Sequence, residues 1–341
     1  MKVKYIYFPE ANSAELGERE IGNPGAGQIQ VKMRYTAVSA GTERANLIGE
    51  ANVSTHKADC TVVRFPRTSG GYSGVGTVVA VGPGVQGFEE GDIVFGGWGN
   101  HCRYNNLPVT KVVKFDPEKI DPLHAAFTNI ACFSLAGTRK LRIELGESAM
   151  VMGLGLLGLF AVQFCRLNGA AEVIACDPKP ERRALAMSMG ATHAIDSTEE
   201  GFTEKVRAIT GRGANAVVEV TGVGAGLNSA LDAMARFGRI TLLGCTRHPV
   251  TVDFYHDVHG KGIQIFGAHT NARPSVESYP GMWTDIDDYR VILKFLEDGR
   301  LDFSRMVNEV HSPADCPEVY ARLAEGKNFP IGVAFDWSLI D

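Results

Sequence analysis

The chain has 341 residues, of which 45% are hydrophobic and 21% charged, a balance that suits a packed globular protein and excludes a disordered tail. The length fits about two domains. The net charge is -5 and the 34 Lys and Arg residues are scattered, so there is no basic stripe for a nucleic acid.

The opening stretch "MKVKYIYFPEANSAELGE" carries charges where a signal peptide needs an apolar run. No segment reaches the roughly 18 apolar residues of a membrane span. A cytoplasmic location and no membrane partner are therefore expected. The cysteines (Cys60, Cys102, Cys132, Cys165, Cys176, Cys245, Cys316) are odd in number, widely spaced and form no CxxC pair. They read as small buried apolar residues.

Up to about Phe115 the sequence consists of short alternating or valine-rich runs, among them "QIQVKMRYTAVSA", "GTVVAVG", "DIVFGG" and "KVVKF", broken by Gly, Pro and Asn. This is the pattern of a β-rich domain. Leu123 to Leu141 reads as a helix, with small and apolar residues on adjacent turns. From Ser148 strands and helices alternate. "SAMVMG", "EVIACD", "HAID", "NAVVEVTG", "RITLLG" and "GIQIFGA" read as strands, and "LGLLGLFAVQFCRLNGA", "PERRALAMSMG", "FTEKVRAIT" and "GLNSALDAMARFG" as helices. Strands separated by helices predict a parallel, doubly wound α/β sheet. Beyond about His269 come two helical stretches, "DDYRVILKFLEDG" and "CPEVYARLAEG", and a last strand, "PIGVAFDW".

Glycines recur at GxGxxG-like spacing, but only one occurrence has the context that spacing needs. "GLGLLG" (Gly153, Gly155, Gly158) follows a strand and opens a helix. There Gly153 permits the tight turn, Gly155 lets backbone approach a pyrophosphate and Gly158 lets helix pack on strand. The helix start, at Leu156 and Leu157, supplies free N–H groups. Asp177 closes the next strand about 20 residues on, placed to accept both ribose hydroxyls and to repel a 2′-phosphate, so NAD is expected over NADP. Arg182, one turn into the next helix, is placed to cover the adenine or to be an ordinary surface charge. Thr221, Gly222 and Gly244 end later strands and are expected to face the cofactor. "GPGVQG" (Gly82, Gly84, Gly87) leads into another strand and reads as a hairpin turn, and "GNPGAG" is turn composition.

A β-rich first half with "GGYSGVGTVVAVG" and "GDIV", a mid-chain dinucleotide fingerprint and a C-terminal return resembles the medium-chain dehydrogenase/reductase superfamily, the relatives of zinc alcohol dehydrogenase. The resemblance implies an α/β protein with a GroES-like β-barrel catalytic domain (1–124, completed by 269–341) and a Rossmann domain (125–268). It implies an active-site cleft between them and a homodimer or homotetramer. The family's zinc ligands fall on Ala40, Tyr72 and Thr128, and Ser73 replaces the neighbouring glutamate. None of these supplies the thiolate, imidazole or carboxylate that zinc takes. The four-Cys structural zinc loop is also missing, so no metal is expected. Thr42 keeps the hydroxyl that contacts a substrate alcohol, while Ala45 stands where the family has a relay histidine.

Without zinc, the proton and the oxyanion charge fall to side chains. Tyr72 is the first candidate, as a phenol in the vacated metal position or as packing that fills it. Thr42, Glu43 and His101 follow, with Trp98 and Asn129 as pocket residues and His269 near the nicotinamide. Glu43 reads equally as part of a buried network, and His101 as structural. His256 and His259 form an HxxH with no third ligand in sight, too little for a metal site. The expected function is zinc-independent, NAD-dependent oxidation of a secondary alcohol of the polyol or sugar type, with a small hydroxylated or carbonyl compound as partner. A quinone or enone reductase and a non-catalytic dinucleotide sensor are the alternatives.

Overall fold

The computed structural model describes residues 1–50 and 64–340, so Cys60 lies outside the described residues. Two compact units divide the chain: Met1–Ile130 together with Tyr289–Asp341, and Ala131–Asp288. The sequence placed the return to the first unit at 269, yet 269–288 belongs to the second. Arg273 explains why, since its guanidinium pairs with Asp288 and meets the buried Cys132 thiol at 2.9 Å, tying this segment to the start of that unit.

In the first unit a seven-stranded sheet is built around Gln28–Ala37. Gln28–Ala37 pairs antiparallel with Ser73–Val81, Tyr104–Pro108 and Gly332–Asp336. Ile29, Val31 and Met33 point into a core that includes Phe8, Leu107, Phe335 and Trp337. Ser73–Val81 turns through "GPGVQG" into Ile93–Gly97, its antiparallel partner, so this glycine repeat is a hairpin connection with Gly84 and Gly87 at positive φ. Val307–His311, whose two valines stand three apart instead of alternating, is a strand that the sequence pattern did not reveal.

Two expectations are corrected here. The strand "QIQVKMRYTAVSA" ends at Ala37, and "AGTERANL" is a helix, Ala40–Leu47. The single helix over Leu123–Leu141 is two, Pro122–Ala125 and Thr128–Leu141. Between them the Ser73 hydroxyl donates to the Ala126 carbonyl at 2.5 Å, drawing that carbonyl out of a continuous helical ladder.

The second unit is the doubly wound sheet that the alternation predicted. Its strands lie in the order His193–Ile195, Glu172–Cys176, Ser148–Met152, Ala214–Glu219, Met234–Leu242, Gln264–Gly267, all parallel. Numbered along the chain this is 3-2-1-4-5-6, the order whose reversal beside the first strand creates a dinucleotide crevice. Ser148–Met152 is buried at every position, as a central strand covered on both faces must be. "GLNSALDAMARFG" is only partly helical. The helix stops at Asp232, and Met234 already pairs with Ala214, so parallel pairing overrides the helical preference of "AMAR". A π-helix, Phe254–His259, precedes the last strand.

Cys102, Cys132, Cys165, Cys176 and Cys316 are buried as expected, but Cys245 is exposed in the loop past Leu242; the strands expected to end at Thr221, Gly222 and Gly244 stop earlier, at Glu219 and Leu242. Among the described residues no helix is long and apolar enough to cross a membrane.

Phe335 is fully buried and packs edge-on against His101 and beside Tyr320. Phe335→Ala is expected to cost about 3–5 kcal/mol of unfolding free energy, from lost burial and the cavity left behind. A urea titration reads this directly, and a loss below about 1 kcal/mol would show that the core does not depend on this ring.

Candidate active site

Sterics define the nucleotide loop of the second unit. Gly153 sits at φ 93°, and its N–H donates to the Cys176 carbonyl at 2.8 Å. Gly155 is the N-cap of helix Leu156–Leu167, and no atom lies within 4 Å of where its Cβ would stand. The N–H groups of Leu156, Leu157 and Gly158 open the helix without a side-chain cap, leaving donors for an anion. At Gly158 a Cβ would lie 1.9 Å from the Gly153 carbonyl oxygen. The three glycines thus supply a left-handed turn, an open approach and a close contact, which is the cradle a dinucleotide pyrophosphate fits.

Asp177 is nearly buried at the end of the next strand. Its carboxylate accepts from the Leu154 N–H at 2.8 Å and the Lys179 N–H at 2.9 Å, and Arg182 stands 3.5 Å away. Asp177 therefore shapes the loop that opens the helix. Arg182 is paired with Asp177 rather than standing alone on its helix.

Sequence reasoning missed Glu219, the buried carboxylate under the neighbouring turn. It accepts from the Thr221 N–H at 2.7 Å, from the Thr221 hydroxyl and from the Gly222 N–H at 3.2 Å. Burial pushes its carboxyl above the ordinary range, against the lowering effect of these donors. Thr221 in turn packs on Gly153, where a Cβ would come within 3.0 Å of its methyl group. Gly244 closes on Gly222, where a Cβ would lie 2.4 Å from the Gly222 nitrogen. The one available signal for Glu219 was an acid ending an otherwise apolar strand. His269 follows the last strand and is exposed. Its Nδ1 accepts from the Asn271 N–H at 3.1 Å, and desolvation on one side lowers the pKa of the ring.

The first unit assembles a second group of side chains. Tyr72 donates its hydroxyl to Ser39 Oγ in a short hydrogen bond. The Tyr72 carbonyl accepts from Asn129 Nδ2 at 2.8 Å and from the Trp98 N–H at 2.7 Å. Asn129 is itself held by the Tyr289 hydroxyl at 2.7 Å. Thr128 beside it is fully buried, and its hydroxyl has no hydrogen-bond partner among the described residues. Thr42 is exposed on the first turn of helix Ala40–Leu47.

Glu43 and His101 are placed differently, since neither has exposed surface. The Glu43 carboxylate accepts from the Ser39 N–H at 2.9 Å and the Tyr320 hydroxyl at 2.6 Å, with His101 Nε2 at 3.3 Å. His101 Nδ1 lies 2.6 Å from the Thr36 hydroxyl, which accepts from the Trp337 indole at 2.8 Å. Burial and the adjacent carboxylate hold the Tyr320 phenol well above its ordinary pKa, so it stays a donor. Gly70 and Gly71 make room for this network. A Cβ at Gly70 would come within 2.8 Å of Glu43 and one at Gly71 within 2.0 Å of the His101 nitrogen. Tyr320, Trp337 and Tyr289 were not legible as partners, because they lie 160 to 301 residues along the chain from Asn129, Glu43 and Thr36.

Two family profiles match this chain: the alcohol dehydrogenase GroES-like domain over residues 25–115 and the zinc-binding dehydrogenase over residues 157–288. An L-threonine 3-dehydrogenase from Pyrococcus furiosus is 30% identical over 301 residues, 78% of this chain and 81% of that one. The chain belongs to the medium-chain dehydrogenase/reductase family. It is accordingly an enzyme of the dehydrogenase class, with the family's GroES-like and Rossmann-type domains. A D-guloside 3-dehydrogenase from Escherichia coli is 25% identical to this dehydrogenase over 91% of its length and 93% of the relative's. The crystal structure of an Escherichia coli alcohol dehydrogenase complexed with NADH shares its fold, with a TM-score of 0.83 at 19% identity over 98% of this chain and 99% of that one.

The resemblance places the family's zinc ligands at three positions of this chain. Ala40 has no donor atom, and Tyr72 and Thr128 carry neutral hydroxyls. Among the described residues no group of three or more His, Cys, Asp or Glu side chains is placed to hold a metal, and His256 is instead engaged by Asp253 at 2.8 Å.

Gly158→Ala in this dehydrogenase is expected to raise the NADH dissociation constant at least about tenfold, because the new methyl group must displace the helix start from the Gly153 carbonyl. Fluorescence titration with NADH checks this, and wild-type affinity in the variant would show that the contact does not matter.

Proposed function

We propose that this dehydrogenase oxidises a secondary alcohol of a polyol- or sugar-like metabolite, using NAD and no catalytic zinc. The observation that carries the reading is the Tyr72–Ser39 hydroxyl pair, standing in the chain where the family places metal ligands. When bound, the nicotinamide supplies the acceptor for the hydride that leaves the carbinol carbon. The chain's own groups then have two tasks, to hold the substrate hydroxyl and to take its proton.

Tyr72 is suited to the second task. Its hydroxyl is anchored on Ser39, so as the phenol oxygen takes the substrate proton the phenol proton moves to Ser39 Oγ, and half-buried Ser39 releases its own proton to solvent. Asn129, locked by Tyr289, and Trp98, through its N–H, both hold the Tyr72 carbonyl, which fixes the backbone that carries the phenol. Glu43 and His101 act in this reading as positioning residues, because the Glu43 carboxylate fixes the Ser39 N–H and neither reaches the surface. Asp177 supports NAD over NADP, since a fixed carboxylate at a strand end repels a 2′-phosphate. The relatives named for oxidation at a 3-position, threonine and a guloside, agree with a secondary alcohol as substrate class.

Tyr72→Phe is expected to lower kcat by about a hundredfold with NADH affinity unchanged, the size that a positioned acid–base group contributes. The assay is a screen of polyols, glycosides and enones with NAD and NADPH, run beside metal analysis of the purified protein. Stoichiometric zinc would overturn the zinc-free reading, and reduction of enones alone would replace alcohol oxidation by quinone or enone reduction. Asp177→Ala is expected to weaken NADH binding about tenfold and to erode the preference over NADPH, as loss of a charge-assisted ribose contact implies. Equal wild-type affinity for both cofactors would refute the assignment.

A further inference from the structure

Glu219 is the one charged residue of the strand Ala214–Glu219, whose other members are apolar or, at Asn215, neutral. In the parallel sheet it stands between Met152 and Leu242, with no exposed surface. A carboxyl group in that place costs free energy that a leucine or methionine would not. Among the described residues its side chain bonds only to its own turn. Thr221 donates both its N–H and its hydroxyl, and the Gly222 N–H is shared between the two carboxylate oxygens at 3.2 and 3.3 Å. A costly buried group whose partners all lie in one turn points to a task for that turn.

The turn is wedged between two other loops of the second unit. Gly222 takes φ 64°, and a Cβ on it would lie 2.7 Å from the Cys245 carbonyl oxygen, while one on Gly244 would lie 2.4 Å from the Gly222 nitrogen. On the other side the Thr221 methyl group packs on Gly153, where a Cβ would come within 3.0 Å of it. The Thr221 hydroxyl has a second bond, accepting from the N–H of Val223 at 3.0 Å, the N-cap of the helix Gly224–Asp232. One hydroxyl and one methyl group therefore connect Glu219 to a helix start and to the first glycine of the nucleotide loop. Gly153 holds φ 93° in the turn that leads to the free N–H groups of Leu156, Leu157 and Gly158. Packing this close leaves no slack, so a displacement of Thr221 is felt at Gly153.

We infer that Glu219 is a positioning residue for cofactor binding, whose carboxylate holds Thr221 and Gly222 and, through the Thr221 methyl group, sets the Gly153 turn of the nucleotide loop. No atom of Glu219 needs to reach the dinucleotide. A glutamine at 219 cannot replace it, since in either orientation its NH2 takes the place of one of the oxygens that face the Thr221 and Gly222 donors. The inference concerns the cofactor alone and is independent of the alcohol proposed above as substrate.

The test combines fluorescence titration with NADH and the thermal midpoint of the cofactor-free protein, for the wild type, Glu219→Gln, Thr221→Val, Thr221→Ser and the double variant Glu219→Gln/Thr221→Val. Glu219→Gln is expected to raise the NADH dissociation constant about fivefold, and Thr221→Val, which replaces only the hydroxyl, by about the same factor. Thr221→Ser keeps the hydroxyl but removes the methyl group on Gly153, and a rise of about threefold is expected. Glu219→Gln and Thr221→Val break one and the same link, so the double variant is expected to stay near about fivefold instead of the roughly twenty-fivefold that independent sites give. Midpoints within about 2 °C of the wild type accompany these losses. A merely structural role predicts the reverse, lower midpoints with the dissociation constant within about twofold of the wild type, and that result overturns the inference. Multiplying losses in the double variant overturn it as well. Where Glu219→Gln does not fold, the threonine variants decide: weaker NADH binding in both supports the inference, and unchanged binding in either overturns it. A wild type that binds neither NADH nor NADPH overturns the cofactor assignment, and this inference with it.

Discussion

A carboxylate with no access to water organises the first unit. Burying a carboxyl group away from water costs free energy unless hydrogen-bonding groups surround it. Here a backbone N–H, a phenol and an imidazole do so. Each comes from a different place: Ser39 at the entrance of a helix, Tyr320 from a C-terminal helix and His101 from a loop after the strand Ile93–Gly97. Satisfying one buried side chain therefore fixes several segments. The glycines at 70 and 71 follow from this constraint, because the approach of Glu43 and His101 leaves no room for side chains there. Tyr72 and Ser39 owe their positions to the same packing.

The second unit solves a different problem, the presentation of free N–H groups to an anion without burying them unpaired. Its solution is steric. The helix starts so close to Gly153 that only glycine fits at 158, while nothing fills the space over Gly155. Two acids hold the flanking turns, Asp177 through Leu154 and Lys179, and Glu219 through Thr221 and Gly222. A carboxylate accepting several N–H groups sets a loop without occupying the ligand's place, which links loop geometry to cofactor binding.

Much of this architecture was legible in the sequence because its causes are local. The strand–glycine–helix context of "GLGLLG" states its own geometry, and apolar strands alternating with helices imply parallel pairing. The misreadings share one reason, a partner distant in sequence that overrides a local preference. "AMAR" has helical composition yet is strand, since Ala214 pairs with Met234. Leu123–Leu141 breaks where a hydroxyl from Ser73 claims the Ala126 carbonyl. Glu43 and His101, readable either as catalytic groups or as a buried network, lie in the interior.

The sequence by itself determined the family and the fold class, because strand–helix alternation and the strand–glycine–helix context of "GLGLLG" follow from residue type and short spacing. Tertiary structure alone decided which polar residues are consumed and which stay available. Glu43 and His101 are satisfied by Tyr320, Thr36 and Trp337, whereas the buried Thr128 hydroxyl has no partner among the described residues. Whether a polar group is spent or spare depends on contacts between segments hundreds of residues apart, and no local pattern encodes them.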